Sequence, residues 1–266
     1  MRVFWKAVQM NFRVFFAYKM GFLLSIIIFP MVMAINIYLF TSIYSYNGST
    51  EIKGYDLTQM IWYYGVTVFV WIFIYNMVDR RMSGYILSGE LAPLLLRPMP
   101  LFQYELANAL ALRLAGILFE FFPVMALYSI IYPPTFLTFA SFGKFLVLIM
   151  LAFILLFLLN YIVGMSAALT QSNVGTARVV NALLVLLGGT MIPLEFFPDW
   201  LRRICGVLPF QYIFYEPVQF FIRHGDTSID AWLQVIVMQF IWIVVLYTIV
   251  RSIWAFLLRN IVVAGG

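Results

Sequence analysis

KFLVLIMLAFILLFLLNYIVGMSAAL, residues 144–169, carries no charged side chain after its first position. A helix that is apolar on every side has no polar face to offer water, and about 20 such residues are what a hydrocarbon core requires. Lipid also forces a backbone to satisfy its own hydrogen bonds, which a helix does within one segment. Comparable runs occupy residues 21–44, 58–78, 113–131, 179–194 and 231–256. The sequence therefore predicts an all-α integral membrane fold: one transmembrane domain over residues 1–266, with six transmembrane helices. A charged fraction of 10%, against about 25% in soluble domains, leaves no polar segment large enough for a second domain.

Six spans put both termini on one side. Of the 16 Lys and Arg residues, the five on the opposite side would be Lys53, Lys144, Arg202, Arg203 and Arg223, and the other eleven flank the terminal side. That bias predicts cytoplasmic termini and a cell-membrane location. The net charge of +5 is spread singly beside apolar runs rather than gathered in a patch, so it orients the chain in a bilayer and argues against nucleic-acid binding. Cys205 is the only cysteine and His224 the only histidine. An intrachain disulfide, a multi-Cys/His metal site and a His-pair motif are excluded, and no cofactor is expected on this chain.

Residues 1–19 place Arg2, Lys6, Gln9 and Arg13 at spacings of four, three and four, with Phe4, Val8, Phe12, Phe15 and Phe16 on other faces. The pattern describes an amphipathic helix lying in the membrane interface, or one flanking the first span.

The run 179–194 is short for a span and has Gly188 and Gly189 near its end. Directly after it, IPLEFFPDWLRRICGVLPF (residues 192–210) interrupts the apolar pattern with three prolines. Pro198 is placed to open a short helix with Trp200, Leu201, Ile204, Val207 and Leu208 on one face and Arg202, Arg203 and Gly206 on the other, and Pro209 to end it. A second short helix, about 210–222, would bury Ile213, Phe214, Val218 and Phe221. Residues 195–226 then form an outer re-entrant helical hairpin between spans five and six. Irregular backbone at membrane depth needs protein or a water-filled cavity around it, so this hairpin lines or caps something.

The longest connection on the other side, DRRMSGYILSGELAPLLLRPMPLFQYE, starts at Asp79 and ends at Glu105. Leu91, Leu94, Leu95 and Leu96 are too apolar for a solvated loop and are expected to pack on the interface or on a partner. Its prolines make short rigid knuckles, which favours partner docking.

ILSGELAPLLLRPMP and the later IPLEFFPDWLRRICGVLPFQYIFYEP together resemble the permease subunits of type-2 ATP-binding-cassette (ABC) exporters, in the compact six-span group without a fused ATPase. The resemblance covers nearly the whole chain. It implies a cytoplasmic coupling region over residues 79–104 that includes Ser83, Gly84, Gly89, Glu90, Leu91, Leu95, Arg97 and Pro98. It also implies an outer gate built from Pro193, Phe196, Phe197, Pro198, Trp200, Leu201, Leu208, Pro209 and Phe210. The partners implied are a second permease, the same chain or a related one, and two nucleotide-binding ATPase subunits holding ATP and Mg. This chain lacks a phosphate-binding loop: its one Gly-Lys pair, Gly143 and Lys144, is followed by Phe145 rather than Ser or Thr.

Glu120 lies two turns inside the third span and seven residues after Arg113, near the same helix face. An intramembrane carboxylate is a functional candidate by default; the alternative is that Arg113 neutralises it and the pair fixes packing. Asn160 and Asn181 are read as interhelical hydrogen-bonding residues before substrate contacts, and Ala107, Ala111 and Ala115 as a stripe permitting close helix approach. Pro30 and Pro123 are expected to kink their helices, and Trp62, Tyr63, Tyr64, Tyr212, Tyr215 and Trp232 fall where an outer aromatic belt would lie. Two other classes compete. An ion-coupled secondary transporter or scaffold subunit would rest on Glu120, and an intramembrane enzyme would rest on an isolated Gly164-Met165-Ser166. The cargo of an exporter this apolar would be amphipathic or hydrophobic: a drug, antibiotic, peptide or lipid-linked molecule.

Overall fold

A computed structural model describes residues 2–17, 19–223, 225 and 227–260; His224 and Asp226, assigned from sequence to the outer loop, lie outside the described residues. The chain is almost wholly helical: α1 (Arg2–Ala17), α2 (Lys19–Asn47), α3 (Leu57–Ile74), α4 (Val78–Leu87), α5 (Leu91–Leu95), α6 (Leu101–Gly116), α7 (Phe122–Ile131), α8 (Phe139–Met165), α9 (Ala167–Thr170), α10 (Val174–Leu187), α11 (Asp199–Val207), α12 (Tyr215–Ile222) and α13 (Ile229–Asn260). Two short strands, β1 (Glu51–Ile52) and β2 (Tyr55–Asp56), pair antiparallel between α2 and α3.

Local chemistry explains the helix starts and breaks. Asp56 accepts the Gln59 amide at 2.7 Å while the Gln59 side chain accepts the Asp56 amide at 3.2 Å, a reciprocal cap that fixes the start of α3. Thr138 and Ser141 cap α8 in the same way. A π-helical turn, Ile117–Phe121, joins α6 to α7 immediately before Pro123. Proline has no amide to continue the ladder, and the widened turn accommodates that loss.

Among the described residues, five helical stretches are long and apolar enough to cross a membrane: Ile27–Asn47, Leu57–Leu87, Leu101–Ile131, Phe139–Thr170 and Ile229–Arg259. The third begins at Leu101 rather than at 113, and the second bends where Tyr75 turns extended before α4. The expected helix over 179–194 is displaced. α10 has 14 residues, about 21 Å of helix against a hydrocarbon core of about 30 Å. It stops at Gly188 because Gly189 takes a φ of +73°, and a Cβ there would meet the Tyr63 hydroxyl at 3.0 Å. Glycine alone adopts that turn without strain.

The core is aromatic. Trp62 and Tyr63 on α3, Tyr128 on α7, Phe145 and Phe157 on α8 and Phe221 on α12 are all fully buried. The Trp62 ring meets those of Phe69, Tyr128, Phe136 and Phe221 at centroid separations of 5.9–6.2 Å, within the range of favourable ring pairs. This corrects the expected outer belt: Trp62, Tyr63, Tyr212 and Tyr215 face protein, and Tyr64 and Trp232 are half-buried. Apolar surface gains nothing by moving from lipid to protein, so these rings contribute through close packing and hydrogen bonds. α1 lies against α6, with Val8 on Ala107 and Ala111 as the alanine stripe requires, and its Val3, Trp5, Met10 and Val14 remain exposed.

Candidate functional site

The segment expected to couple to a partner forms a tip between two fixed flanks. On one flank, α4 is bound to α6 by Arg81, whose Nε donates to Glu105 Oε2 at 2.7 Å, and by Tyr85, whose hydroxyl donates to Glu105 Oε1 at 3.1 Å. Glu105 is completely buried. α4 also presses on α8: a Cβ added at Gly164 would stand 2.5 Å from Met82 Cβ and 2.8 Å from the Asp79 carbonyl oxygen. Asn160 donates to Asn76 Oδ1 at 3.1 Å, and Asn173 to the Asp79 carbonyl at 3.2 Å. Asn160 thus ties α8 to the bend before α4, as interhelical hydrogen bonding predicts.

Between the flanks the leucines divide. Leu91 and Leu94 are buried in the chain itself, which corrects the expectation that all four face outward, whereas Leu95 and Leu96 are exposed, Leu96 at 87%. Gly89 holds a φ of +76° and turns the chain from α4 into α5. Gly84, Glu90, Arg97 and Pro98 are exposed, and Ser83 is buried against the bundle. Arg97 lies over the Tyr104 ring at 5.1 Å. α3 alone, with 18 residues, accounts for about 27 Å of rise. That is close to the thickness of a hydrocarbon core, the tip follows α3 and α4 in the chain, and its exposed leucines call for cover.

At the opposite end, Pro198 precedes α11 and Pro209 follows it, as expected. The helix faces differ from the sequence reading. Leu201 and Leu208 turn inward with the buried Cys205, while Trp200, Ile204 and Val207 are exposed. Pro193, Pro209 and Phe210 are buried, Phe197 is half-buried, and Phe196 and Pro198 are exposed. α12 is enclosed by α3 and α8, with Ile213, Phe214, Val218 and Phe221 buried as predicted. Gln239 on α13 donates to the carbonyls of Leu148 at 3.1 Å and Tyr212 at 2.8 Å, sewing α8, α13 and the link between α11 and α12 together.

Sequence reasoning missed the polar latch that joins this segment to β2 and α3. Glu195 accepts from the hydroxyls of Tyr55, at 2.8 Å, and Tyr215, and Gln219 donates to the Tyr55 hydroxyl at 2.7 Å. Tyr64 donates to the Met191 carbonyl at 2.8 Å and Tyr63 to that of Gly189. The available signal was an acid and several tyrosines in otherwise apolar surroundings, and their pairing spans more than a hundred residues. Burial, with the Glu195 charge second, raises the hydroxyl pKa values of Tyr55 and Tyr215, which keeps both as donors. Burial also pushes the Cys205 thiol up, so this inward-facing cysteine should resist thiol reagents from either side.

Glu216 lines the cavity of about 400 Å³ beneath the latch, together with Glu195, Arg202 and Gln219. Burial, then the Glu195 charge, pushes its carboxyl up to about 7, with Arg202 opposing. A raised folded-state pKa gives stability that is complete below the ordinary carboxylate value of 4.5 and lost as pH rises through about 7. The thermal unfolding midpoint should fall between about pH 5 and about pH 8, and Glu216→Gln should flatten that dependence. An unchanged slope in the variant would assign the titration to another group.

Inside the third span, Arg113 is buried, donates to the Ile72 carbonyl and lies 5.3 Å from the Tyr75 ring centre. The Glu120 and Arg113 side chains flank Gly116, with Glu120 Oε2 and Arg113 Nη1 at 3.5 and 3.6 Å from the same Cβ position. The two predicted partners are thus brought together at the π turn, while Asn160 belongs to the α4 flank. Among the described residues no group of three or more His, Cys, Asp or Glu side chains is arranged to hold a metal ion.

A family model described as ABC-2 family transporter protein matches residues 21–265. No curated protein gives a significant match. The matched span contains the five long apolar helices, the tip around Leu95 and the latched segment of α11 and α12, and this multi-pass membrane protein belongs to the ABC-2 transporter family.

Proposed function

We propose that the chain is the permease subunit of an ATP-driven exporter. It forms the translocation path with a second permease and is powered by two separate ATPase subunits that carry ATP and Mg. The observation that carries this reading is the tip at Leu95 and Leu96: apolar, exposed, and mounted on α4 and α6, which are locked through Glu105. A rigid mount transmits force, and a greasy tip beyond the bilayer suits a protein partner. Alternating access, or lateral extrusion of an amphipathic or hydrophobic cargo, would follow from movement of this mount.

The second permease is supported by α10. Val174, Arg178 and Asn181 share one exposed face of a short helix beside the bundle. A charge and an amide are costly toward lipid and require cover. In this reading α10 and the return through 188–194 make the sixth crossing, both termini lie in the cytoplasm of the cell membrane, and α11 with α12 forms the outer re-entrant gate. The ion-coupled alternative would place Glu120 in a path, but its carboxylate shares its surroundings with the fixed positive charge of Arg113, which favours packing.

Gentle purification of tagged protein from its native host tests the reading. The wild type should bring down an ATP-hydrolysing subunit and a second permease, and Leu96→Asp should lose most of the ATPase while still inserting in the membrane. A chain that purifies alone even after crosslinking in cells would overturn it.

A further inference from the structure

A cavity of about 470 Å³ opens between the tip and the last helix, and Arg97, Phe102, Tyr161, Tyr247, Arg251 and Trp254 contribute to its wall. We propose that it binds the headgroup of an anionic phospholipid, with Arg97 and Arg251 holding the phosphate and the aromatic wall holding the upper acyl chain. This rests on the cavity itself and holds whether or not the ATPase reading is right.

Depth is the first argument. Between Asp230 and Arg251 α13 has no charged residue; those 20 residues rise about 30 Å, the thickness of the hydrocarbon core. Arg251 is thus the first charge met on leaving the hydrocarbon at the C-terminal end of α13, at the level of lipid phosphates. Trp254 stands one turn beyond it and Tyr247 one turn before, positions suited to amphipathic rings at that boundary.

Charge is the second. Arg97 and Arg251 are both exposed, and among the described residues neither has a carboxylate within ion-pair distance. The neighbouring acid, Glu105, is already committed to Arg81 and Tyr85. The cavity is therefore positive, and a delocalised guanidinium pair suits a phosphodiester.

Shape is the third. Phe102 packs edge-on against Tyr161 at 5.3 Å and Tyr247 at 5.7 Å, forming a firm apolar wall that continues onto α13, a membrane-crossing helix. A soluble anion would use the arginines and leave that wall bare, whereas a lipid covers both. Basic pockets beside membrane helices are used in this way.

The test is native mass spectrometry of detergent-purified protein equilibrated with equal phosphatidylglycerol and phosphatidylcholine. The wild type should retain phosphatidylglycerol preferentially. Arg97→Gln with Arg251→Gln should lose about tenfold in that retention, the Lys pair should keep most of it, and Arg259→Gln, outside the cavity, should match the wild type. Both arginines are exposed, so a folded double variant is expected, and its elution profile checks this. Equal retention of the two lipids by the wild type, or full retention by the Gln pair, would overturn the proposal. Displacement of the lipid by millimolar glycerol phosphate would make the cavity a soluble-phosphate site and also overturn it. Loss of the ATPase subunit from the Gln pair with lipid retention unchanged would assign the arginines to the protein partner instead.

Discussion

Arg81→Ala should be among the most damaging single changes in this chain, lowering stability by about 3 kcal/mol, toward the lower end for a broken buried pair. The asymmetry of the pair sets the direction. Glu105 has no exposed surface, while Arg81 keeps 23% of its side chain exposed. Removing the arginine strands a carboxylate where only the Tyr85 hydroxyl remains to satisfy it. Removing the acid leaves a cation able to swing toward water, so Glu105→Gln should cost less than Arg81→Ala. Replacing both by leucine should recover much of the stability, since an apolar pair carries no desolvation penalty. It should not recover coupled ATPase activity if the orientation of α4 matters to the tip. Thermal unfolding in detergent, paired with ATPase assays of the purified complex, separates the two effects. Equal losses from the two single variants would show that desolvation of Glu105 does not control this joint.

Gly164→Val should detach α4 from α8. Even the first added carbon, as in alanine, lies 2.5 Å from Met82 Cβ and 2.8 Å from the Asp79 carbonyl oxygen. Neither contact is the end of a flexible side chain, so the backbones themselves must separate. Overpacking of this kind costs about 1–3 kcal/mol, and the two further methyl groups of valine place it at the upper end. Gly143→Ala, near the other end of the same helix, meets nothing within 4 Å and should be neutral or slightly stabilising, by up to about 1 kcal/mol. Met82→Ala should not rescue Gly164→Ala, because the clash involves Met82 Cβ and the Asp79 backbone. If both glycine variants melt together with the wild type, α4 is free to shift and the mount for the tip is soft.

Much of this architecture was legible in the sequence because lipid leaves few options. Uncharged runs of the right length had to be helices, and the prolines at 198 and 209 bounded α11 where they should. Burial on α12 followed helical spacing, and two of the four leucines in the apolar excess at 91–96, Leu95 and Leu96, are indeed left exposed. What escaped was long-range. Glu105 marked only the end of a loop, and no local pattern links it to Arg81 and Tyr85. Tyr55 and Glu195 lie 140 residues apart, so the latch exists only once the bundle has closed. The aromatic positions were misassigned for a related reason: Trp and Tyr suit both a lipid boundary and a tightly packed interior, and composition does not choose between them. α11 has three faces rather than two, so an apolar spacing argument identified its hydrophobic residues without telling inward from outward. The short fifth helix was visible in the paired glycines, but its early stop at Gly188 depends on Tyr63 from another helix.

The two carbonyl contacts made by Gln239 also bear on how the polypeptide is made. The elements around α12, namely α3 and α8, precede it in the chain, so α12 finds its binding slot ready as it leaves the ribosome. Its seal, however, is on α13, which is synthesised later still. Until residue 239 has entered the bilayer, the Tyr212 carbonyl lacks its amide donor and the slot stays open on one side. Biogenesis should therefore pass through a stage in which everything up to α12 is inserted but not yet locked, and a nascent chain stalled before α13 should be the form most readily seized by membrane quality-control proteases.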